Sequence, residues 1–264
     1  MDPIAGLVAI SDMVAGGALV FVRVGGIFMA APVVGGGYAP MQTKGLMTLA
    51  VTLVLLPTVA IDQDIMGQAN GLAFVLALAR EFALGLAIGF FLDLFFHAVR
   101  FGGDLIGRTA GYAAAESFNP ASEVMSGPVG DMFHLALVLL FFLTDTHHVL
   151  FAALAQSYGL VPLGAFTVGP ELAEASAYAS QQVFEVGMAL AFPLIMALMA
   201  VTMAEGVIAR AVPQINILHI TFATKIATTM ILLYVGLPAA IAFLGAVLIT
   251  ARETLLRLLP LMAG

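Results

Sequence analysis

Residues 72–111, LAFVLALAREFALGLAIGFFLDLFFHAVRFGGDLIGRTAG, are the stretch that decides the fold. This stretch is mostly apolar for longer than the roughly 20 residues that a helix needs to cross a bilayer. Its second half carries charged or ionisable side chains at steps of three and four residues, which places them on one helical face. This charged stripe consists of Asp93, His97, Arg100, Asp104 and Arg108. The chain is 62% hydrophobic and only 9% charged, with a mean hydropathy of +1.09. Because charged residues are scarce, a cluster of them is expected to mark a functional site.

Three interpretations of the charged stripe are open. Opposite charges four residues apart can form interfacial salt bridges, namely Asp93 with His97, Arg100 with Asp104, and Asp104 with Arg108. The stripe can instead face a partner or an aqueous path, or Asp93 and His97 can relay protons. Small residues on the same segment allow another backbone to approach closely, from within this chain or from another subunit. These positions are Gly85, Gly89, Gly103, Gly107 and Gly111.

The composition predicts an all-α, polytopic membrane protein of about six to seven apolar helices. Apolar segments fall at residues 4–31, 45–61, 72–101, 132–154, 183–209 and 217–259. The last segment is too long for one crossing and contains Gly236-Leu237-Pro238, which predicts a hairpin of residues 217–235 and 239–259. The polar run at residues 144–148 predicts a bend or an early end in the fourth segment. The segments are too long, and alternate too little, for a membrane β-barrel.

Charge and cysteine content narrow the function classes. The absence of Cys excludes disulfides, thiolate catalysis and Cys-ligated metals. There is no basic tract, so no nucleic-acid partner is expected. The acidic N-terminal start and Arg23 in the first apolar run predict a retained membrane helix rather than a secretory signal. Lys and Arg concentrate near odd-numbered connections, which predicts an N-terminus outside the cytoplasm.

Several charges fall inside apolar segments and require partners. Arg80 and Glu81 do not face each other on a helix, so they need partners from other segments, and Arg23 with Glu81 is a plausible pair. Glu185, Glu205 and Lys225 raise the same question. A secondary transporter is the alternative function, and it would use Asp93, His97, Glu81 and Lys225.

No enzyme signature is complete. His147-His148 cannot both face one metal from a regular helix, and no His-Glu-x-x-His occurs. Gly102-Gly103-Asp104 is similar to the intramembrane aspartyl protease motif but lacks its spacing. No catalytic, cofactor-binding or metal-binding residue is therefore assigned. Residues 112–130 hold small residues, a few apolar anchors and two turn signals, which fits either an exposed loop or a re-entrant segment that plugs a pore.

The order and spacing of many short motifs resemble the FliR family of flagellar type III export-gate proteins, which has counterparts in virulence secretion. The resemblance covers nearly the whole chain, through Arg23-Val24-Gly25, Lys44-Gly45-Leu46, the glycines above, Ser157-Tyr158, Pro162-Leu163-Gly164 and Pro193. Its most specific residues are Arg210, Pro213, Gln214, Asn216 and Lys225. Departures from the family pattern occur at Thr109, Asn119, Thr146 and Ala223.

The resemblance implies a non-enzymatic subunit of a helical hetero-oligomeric gate in the bacterial inner membrane, at the flagellar basal body. Residues 1–209 would resemble a FliP-like partner, and residues 210–264 would form a FliQ-like C-terminal hairpin. FlhB-like and FlhA-like components are further expected partners, and unfolded export substrates would cross the gate without any cofactor. The loop at 112–130 would plug the pore, using Gly111, Tyr112, Glu116, Phe118, Asn119, Pro120, Met125 and Pro128.

Overall fold

A computed structural model describes residues 3–35, 39–59, 71–112, 127–211 and 217–262. Within these ranges the chain is all-helical, as predicted. The helices are α1 (Pro3–Ala30), α2 (Met41–Leu55), α3 (Gly71–Ala110), α4 (Pro128–Leu143), α5 (His147–Leu160), α6 (Pro170–Ala211) and α7 (Ile217–Leu261), and a short 3₁₀ turn (Leu56–Thr58) follows α2. The length and apolar character of these helices, not their number, identify the chain as a membrane protein.

Within the described ranges, four helices are long and apolar enough to cross a membrane. Their spans are Met13–Ala30, Gly71–Ala110, Pro170–Ala211 and Ile220–Leu261. The broken pair α4 and α5 qualifies as a fifth span if the two helices are taken together. In α6 and α7 only 22% and 17% of the most apolar window is buried within the chain, so both helices offer large apolar surfaces to lipid or to other proteins.

Two predicted helix breaks have different outcomes. The break in the fourth apolar segment is confirmed, because α4 ends at Leu143 and Asp145 takes a left-handed conformation with φ 54° before α5 begins. The hairpin predicted at Gly236-Leu237-Pro238 is wrong, because α7 runs unbroken through these residues. An internal proline removes one N–H donor and crowds the preceding turn, but long membrane helices tolerate it where neighbouring groups satisfy the freed backbone. Pro193 lies inside α6 in the same way.

The chain forms two compact units. The first comprises Met1–Leu94, Asp145–Ala179 and Thr250–Gly264. Its core includes Leu19, Val20, Leu84, Ile88 and Leu154, all at most 2% exposed. Here α1 and α3 touch backbone to backbone, since a methyl group added at Gly26 would lie 2.6 Å from the Phe82 carbonyl oxygen. Gly85 and Gly89 make the same close approach from the α3 side, against Arg23 and Ile27.

The second unit comprises Phe95–Thr144 and Ser180–Ile249. Its buried side chains include Phe95, Phe96, Val99, Ile106, Leu137 and Leu198. Glycines again permit close helix packing, because a methyl group added at Gly102 would lie 2.6 Å from the Gly187 carbonyl oxygen on α6. The neighbouring Gly103 approaches α4 instead, at Gly130. Adjacent glycines of α3 thus serve two different helix contacts.

Candidate functional site: the base of the loop at residues 112–130

The C-terminal end of α3 leads directly into the predicted plug loop. Gly111 stops the helix with φ 93°, a left-handed conformation that favours glycine, and its N–H donates to the Arg108 carbonyl at 3.1 Å. A methyl group there would also lie 3.1 Å from the Phe222 ring. Tyr112 follows half-buried, and its hydroxyl is enclosed without a hydrogen-bond partner in the described part of the chain.

Three contacts hold the two ends of this loop together within the second unit. The Asp104 Oδ1 atom accepts the Gly127 N–H at 3.2 Å. Arg100 Nη2 donates to Asp131 Oδ1 at 2.7 Å. A methyl group added at Gly103 would lie 2.7 Å from the Gly130 Cα atom, so the α3 and α4 backbones are in contact. We call these residues the loop-base clasp: Arg100, Gly103, Asp104, Gly127, Gly130 and Asp131.

The clasp depends on small residues at its centre. A side chain at Gly130 would collide with the Asp104 carboxylate and with the Arg100 carbonyl oxygen. Gly127 in extended conformation precedes Pro128, which opens α4 at a position where proline is favoured. The sequence Gly-Pro-Val-Gly at 127–130 therefore starts a helix and leaves room for the Asp104 carboxylate. The prediction that residues 128–130 belong to the plug loop is wrong, because they form the first turn of α4.

Among the described residues, two ion pairs expected from the spacing of the charged stripe, Arg100 with Asp104 and Asp104 with Arg108, do not form. Arg100 pairs with Asp131 of α4, 31 residues away, rather than with Asp104. Asp104 serves the Gly127 backbone. His97, Arg100 and Asp104 also line a cleft of about 330 Å³, whose other walls are Phe101, Val183 and Phe184. The stripe therefore contacts both the loop base and an open cleft.

A second polar cluster lies entirely within the first unit and confirms one predicted pair. Arg23 Nε and Nη2 donate to the two Glu81 carboxylate oxygens at 2.5 and 3.0 Å, and both side chains are 0% exposed. Arg23 also donates to Ser157 Oγ and to the Val161 carbonyl, both at 3.1 Å. Its guanidinium carbon lies 4.3 Å from the centre of the Tyr158 ring.

Glu81 and Arg80 also hold the chain that follows α5. Glu81 Oε1 accepts the Gly164 N–H at 2.6 Å, and Arg80 Nη1 donates to the Gly164 carbonyl at 3.1 Å. Gly164 has φ 76°. Both Glu81 oxygens are thus engaged in a closed structural cluster, which argues against a transport role for this carboxylate.

The remaining predicted residues are distributed along the chain. Asp93 is half-buried on α3, and Arg108 is exposed. A methyl group added at Gly107 would lie 3.7 Å from the Val129 side chain, which is an ordinary van der Waals distance. Arg210 lies in the last turn of α6, and Lys225 is half-buried on α7. Outside the described residues lie Glu116, Phe118, Asn119, Pro120, Met125, Pro213, Gln214 and Asn216.

The sequence predicted the Arg23–Glu81 pair but not the other residues of that cluster, and it did not predict Asp131 as the partner of Arg100. Asp131 is the acidic residue in the first turn of α4. Its position next to the predicted loop is the sequence feature that could have indicated it as a partner of Arg100. Ser157, Tyr158 and Gly164 were noticed only as motif residues, whereas the structure gathers them around Arg23 and Glu81. In the structure the hydroxyl accepts from the guanidinium, the aromatic ring lies against it, and the turn glycine donates its N–H to the carboxylate.

The fold and these clusters define an all-helical, multi-pass membrane protein with a loop fastened at its base. Residues 14–250 match the family model described as bacterial export proteins, family 1. A flagellar biosynthetic protein FliR from Caulobacter vibrioides is 30% identical over 227 residues, covering 83% of this chain and 87% of that protein. The chain therefore belongs to this bacterial export protein family.

Further relatives include another FliR and a protein of a second secretion system. A FliR from Bacillus subtilis is 25% identical over 246 residues, which cover 92% of this chain and 94% of that protein. The Yop proteins translocation protein T of Yersinia pestis is 23% identical over 215 residues, covering 81% of this chain and 82% of its own length. The shared family thus includes both flagellar and Yop translocation proteins.

Proposed function

We propose that this chain is a non-enzymatic subunit of the flagellar type III protein export gate in the bacterial inner membrane. In this proposal the segment between α3 and α4, residues 112–127 of the predicted loop, lies across the pore until an unfolded export substrate displaces it. Family membership supports the export role, and the flagellar names of several relatives favour the flagellar system. The loop-base clasp is the observation that carries the closure role.

The clasp suits a segment that must be held and yet displaced. Asp104 and the Arg100–Asp131 pair fix both ends of the loop, while residues 113–126 between them are small and carry few apolar anchors. The Arg100 and Asp131 side chains are 30% and 40% exposed, so their pairing is partly screened by solvent. If the loop closes the pore by burying little apolar area, at roughly 25 cal/mol per Å² buried, its displacement costs little free energy.

Partner subunits would cover the apolar surfaces that the chain leaves exposed. On α6, Met203 and Val207 are 72% and 69% exposed, and on α7, Tyr234 and Val235 are 82% and 71% exposed. Such surfaces fit lipid or other apolar helices. We propose FliP-like and FliQ-like subunits as the helical partners and FlhB-like and FlhA-like proteins as further components, with residues 1–209 as the FliP-like part and 210–264 as the FliQ-like part.

Deletion of residues 116–122 tests the proposed function. Removal of the centre of the loop should open the assembled gate, because the clasp would then hold only a shortened connection. We expect a higher ion conductance in planar bilayers containing the purified hetero-oligomeric gate than with the wild-type gate.

The matched control deletes residues 62–68, seven residues from the connection between α2 and α3. This variant should assemble and conduct like the wild type. Equal conductance of all three gates would refute the closure role. Transport activity of this chain alone in liposomes would instead support the secondary transporter, which needs no partner.

A further inference from the structure

The turn between α4 and α5 gathers three potential metal ligands, Asp145, His147 and His148. Asp145 adopts φ 54°, which is uncommon for a residue with a side chain, and α5 begins only at His147. The His148 N–H donates to the Asp145 carbonyl at 3.0 Å and closes the turn. Both histidines lie in the first turn of α5, and their ring centres are nevertheless only 4.2 Å apart, which answers the geometric objection raised from sequence.

The distances within this turn fit a single small ion after minor side-chain rotation. One ligand atom from each of the three residues lies within 4.8 Å of the others. The two imidazole centres are 4.2 Å apart, and His148 Nδ1 lies 3.8 Å from Asp145 Oδ1. Ligands bound at about 2.0–2.2 Å from one ion are necessarily within roughly 4 Å of each other. The side chains of His148 and Asp145 are 70% and 75% exposed, so they have space to close this gap.

The chemistry of the three ligands selects the class of ion. Two imidazoles and one carboxylate suit divalent transition metals, whereas Mg²⁺ and Ca²⁺ prefer oxygen ligands alone. We propose that Asp145, His147 and His148 bind one divalent transition-metal ion of the Zn²⁺ class. Three protein ligands leave at least one coordination position for water or for a group from another protein. This site is separate from the loop-base clasp and does not depend on the export proposal.

Zinc titration of the full-length chain, purified in detergent through a tag free of histidine, tests the site. Isothermal titration calorimetry should show one Zn²⁺ per chain, and Co²⁺ should give the visible absorption of a bound ion. The double variant His147→Gln/His148→Gln should lose this binding. His148→Gln and Asp145→Asn alone should each weaken it at least about tenfold, because loss of a direct ligand costs no less than loss of an outer-shell partner.

Two controls separate this site from general histidine binding and from misfolding. His219→Gln removes a histidine elsewhere in the sequence and should bind Zn²⁺ like the wild type. Thermal unfolding in the presence of a chelator should be the same for the wild type and for His148→Gln, because the His148 side chain is 70% exposed, whereas His147 is half-buried. Equal Zn²⁺ affinity of the wild type and the double variant, or no binding by the wild type, would overturn the proposal.

Discussion

The two polar clusters of this protein use the same residue types in opposite ways. Around Arg23 and Glu81, both charged groups are fully buried, and the guanidinium makes four hydrogen bonds. In the loop-base clasp, Arg100 and Asp131 are partly exposed, and Asp104 makes a single bond to a backbone N–H. The contacts of the first cluster hold α1, α3 and α5 together permanently. The hydrogen bonds of the loop-base clasp should break at a small cost in free energy.

This difference indicates where rigidity and displacement are expected. A buried ion pair becomes very costly when one partner is lost, so the Arg23 cluster should act as a fixed part of the first unit. A solvent-screened pair contributes little, so the clasp should yield to an external load such as an entering polypeptide. Charged groups of the same membrane protein can therefore form a permanent structural contact in one place and a breakable contact in another.

Substitution of Glu81→Ala should produce the largest effect. It leaves Arg23 buried without its counter-charge, which costs about 3–5 kcal/mol. Thermal unfolding of the purified chain should show a marked loss of stability. Glu253→Ala is the control, because it removes the partner of Arg257 in an exposed pair 4.0 Å long and should leave the melting temperature unchanged. Similar melting temperatures for the two variants would show that the Arg23 cluster is not the fixed element.

Substitution of Gly130→Ala should have an intermediate effect on the clasp. The added methyl group collides with the Asp104 carboxylate and the Arg100 carbonyl, and overpacking of this kind costs about 1–3 kcal/mol. Gly45→Ala is the control, since a methyl group on this exposed helix position meets no atom within 4 Å. The control should be neutral or slightly stabilising in thermal unfolding. If Gly130→Ala is equally well tolerated, α3 and α4 do not pack as described.

The sequence predicted the helices and the Arg23–Glu81 pair because both follow from strong, general constraints. Long apolar runs predict spans, and a buried Arg in a chain with little charge requires one of the few acidic partners. The break at Asp145 was predictable for the same reason, because a short polar run interrupts an apolar segment. These predictions needed no knowledge of tertiary distances.

The clasp and the path of α7 were not predictable from local patterns. Spacing favoured Arg100 with Asp104, but tertiary packing brings Asp131 closer, and Gly103 and Gly130 permit that approach. Gly236-Leu237-Pro238 suggested a reversal, yet membrane helices tolerate an internal proline, and α7 continues through it. Sequence spacing indicates which partners a residue could have, and tertiary packing determines which of them it contacts.

Ion conductance of assembled gates carrying Asp104→Ala or Asp104→Asn tests the central claim most directly. Asn keeps an oxygen that can accept the Gly127 N–H, whereas Ala does not. Loss of one half-exposed hydrogen bond costs about 1 kcal/mol, or a roughly fivefold shift toward the displaced loop. We therefore predict raised conductance for Asp104→Ala and near wild-type conductance for Asp104→Asn. Equal conductance of both variants and the wild type would contradict the claim that the clasp holds the closure in place.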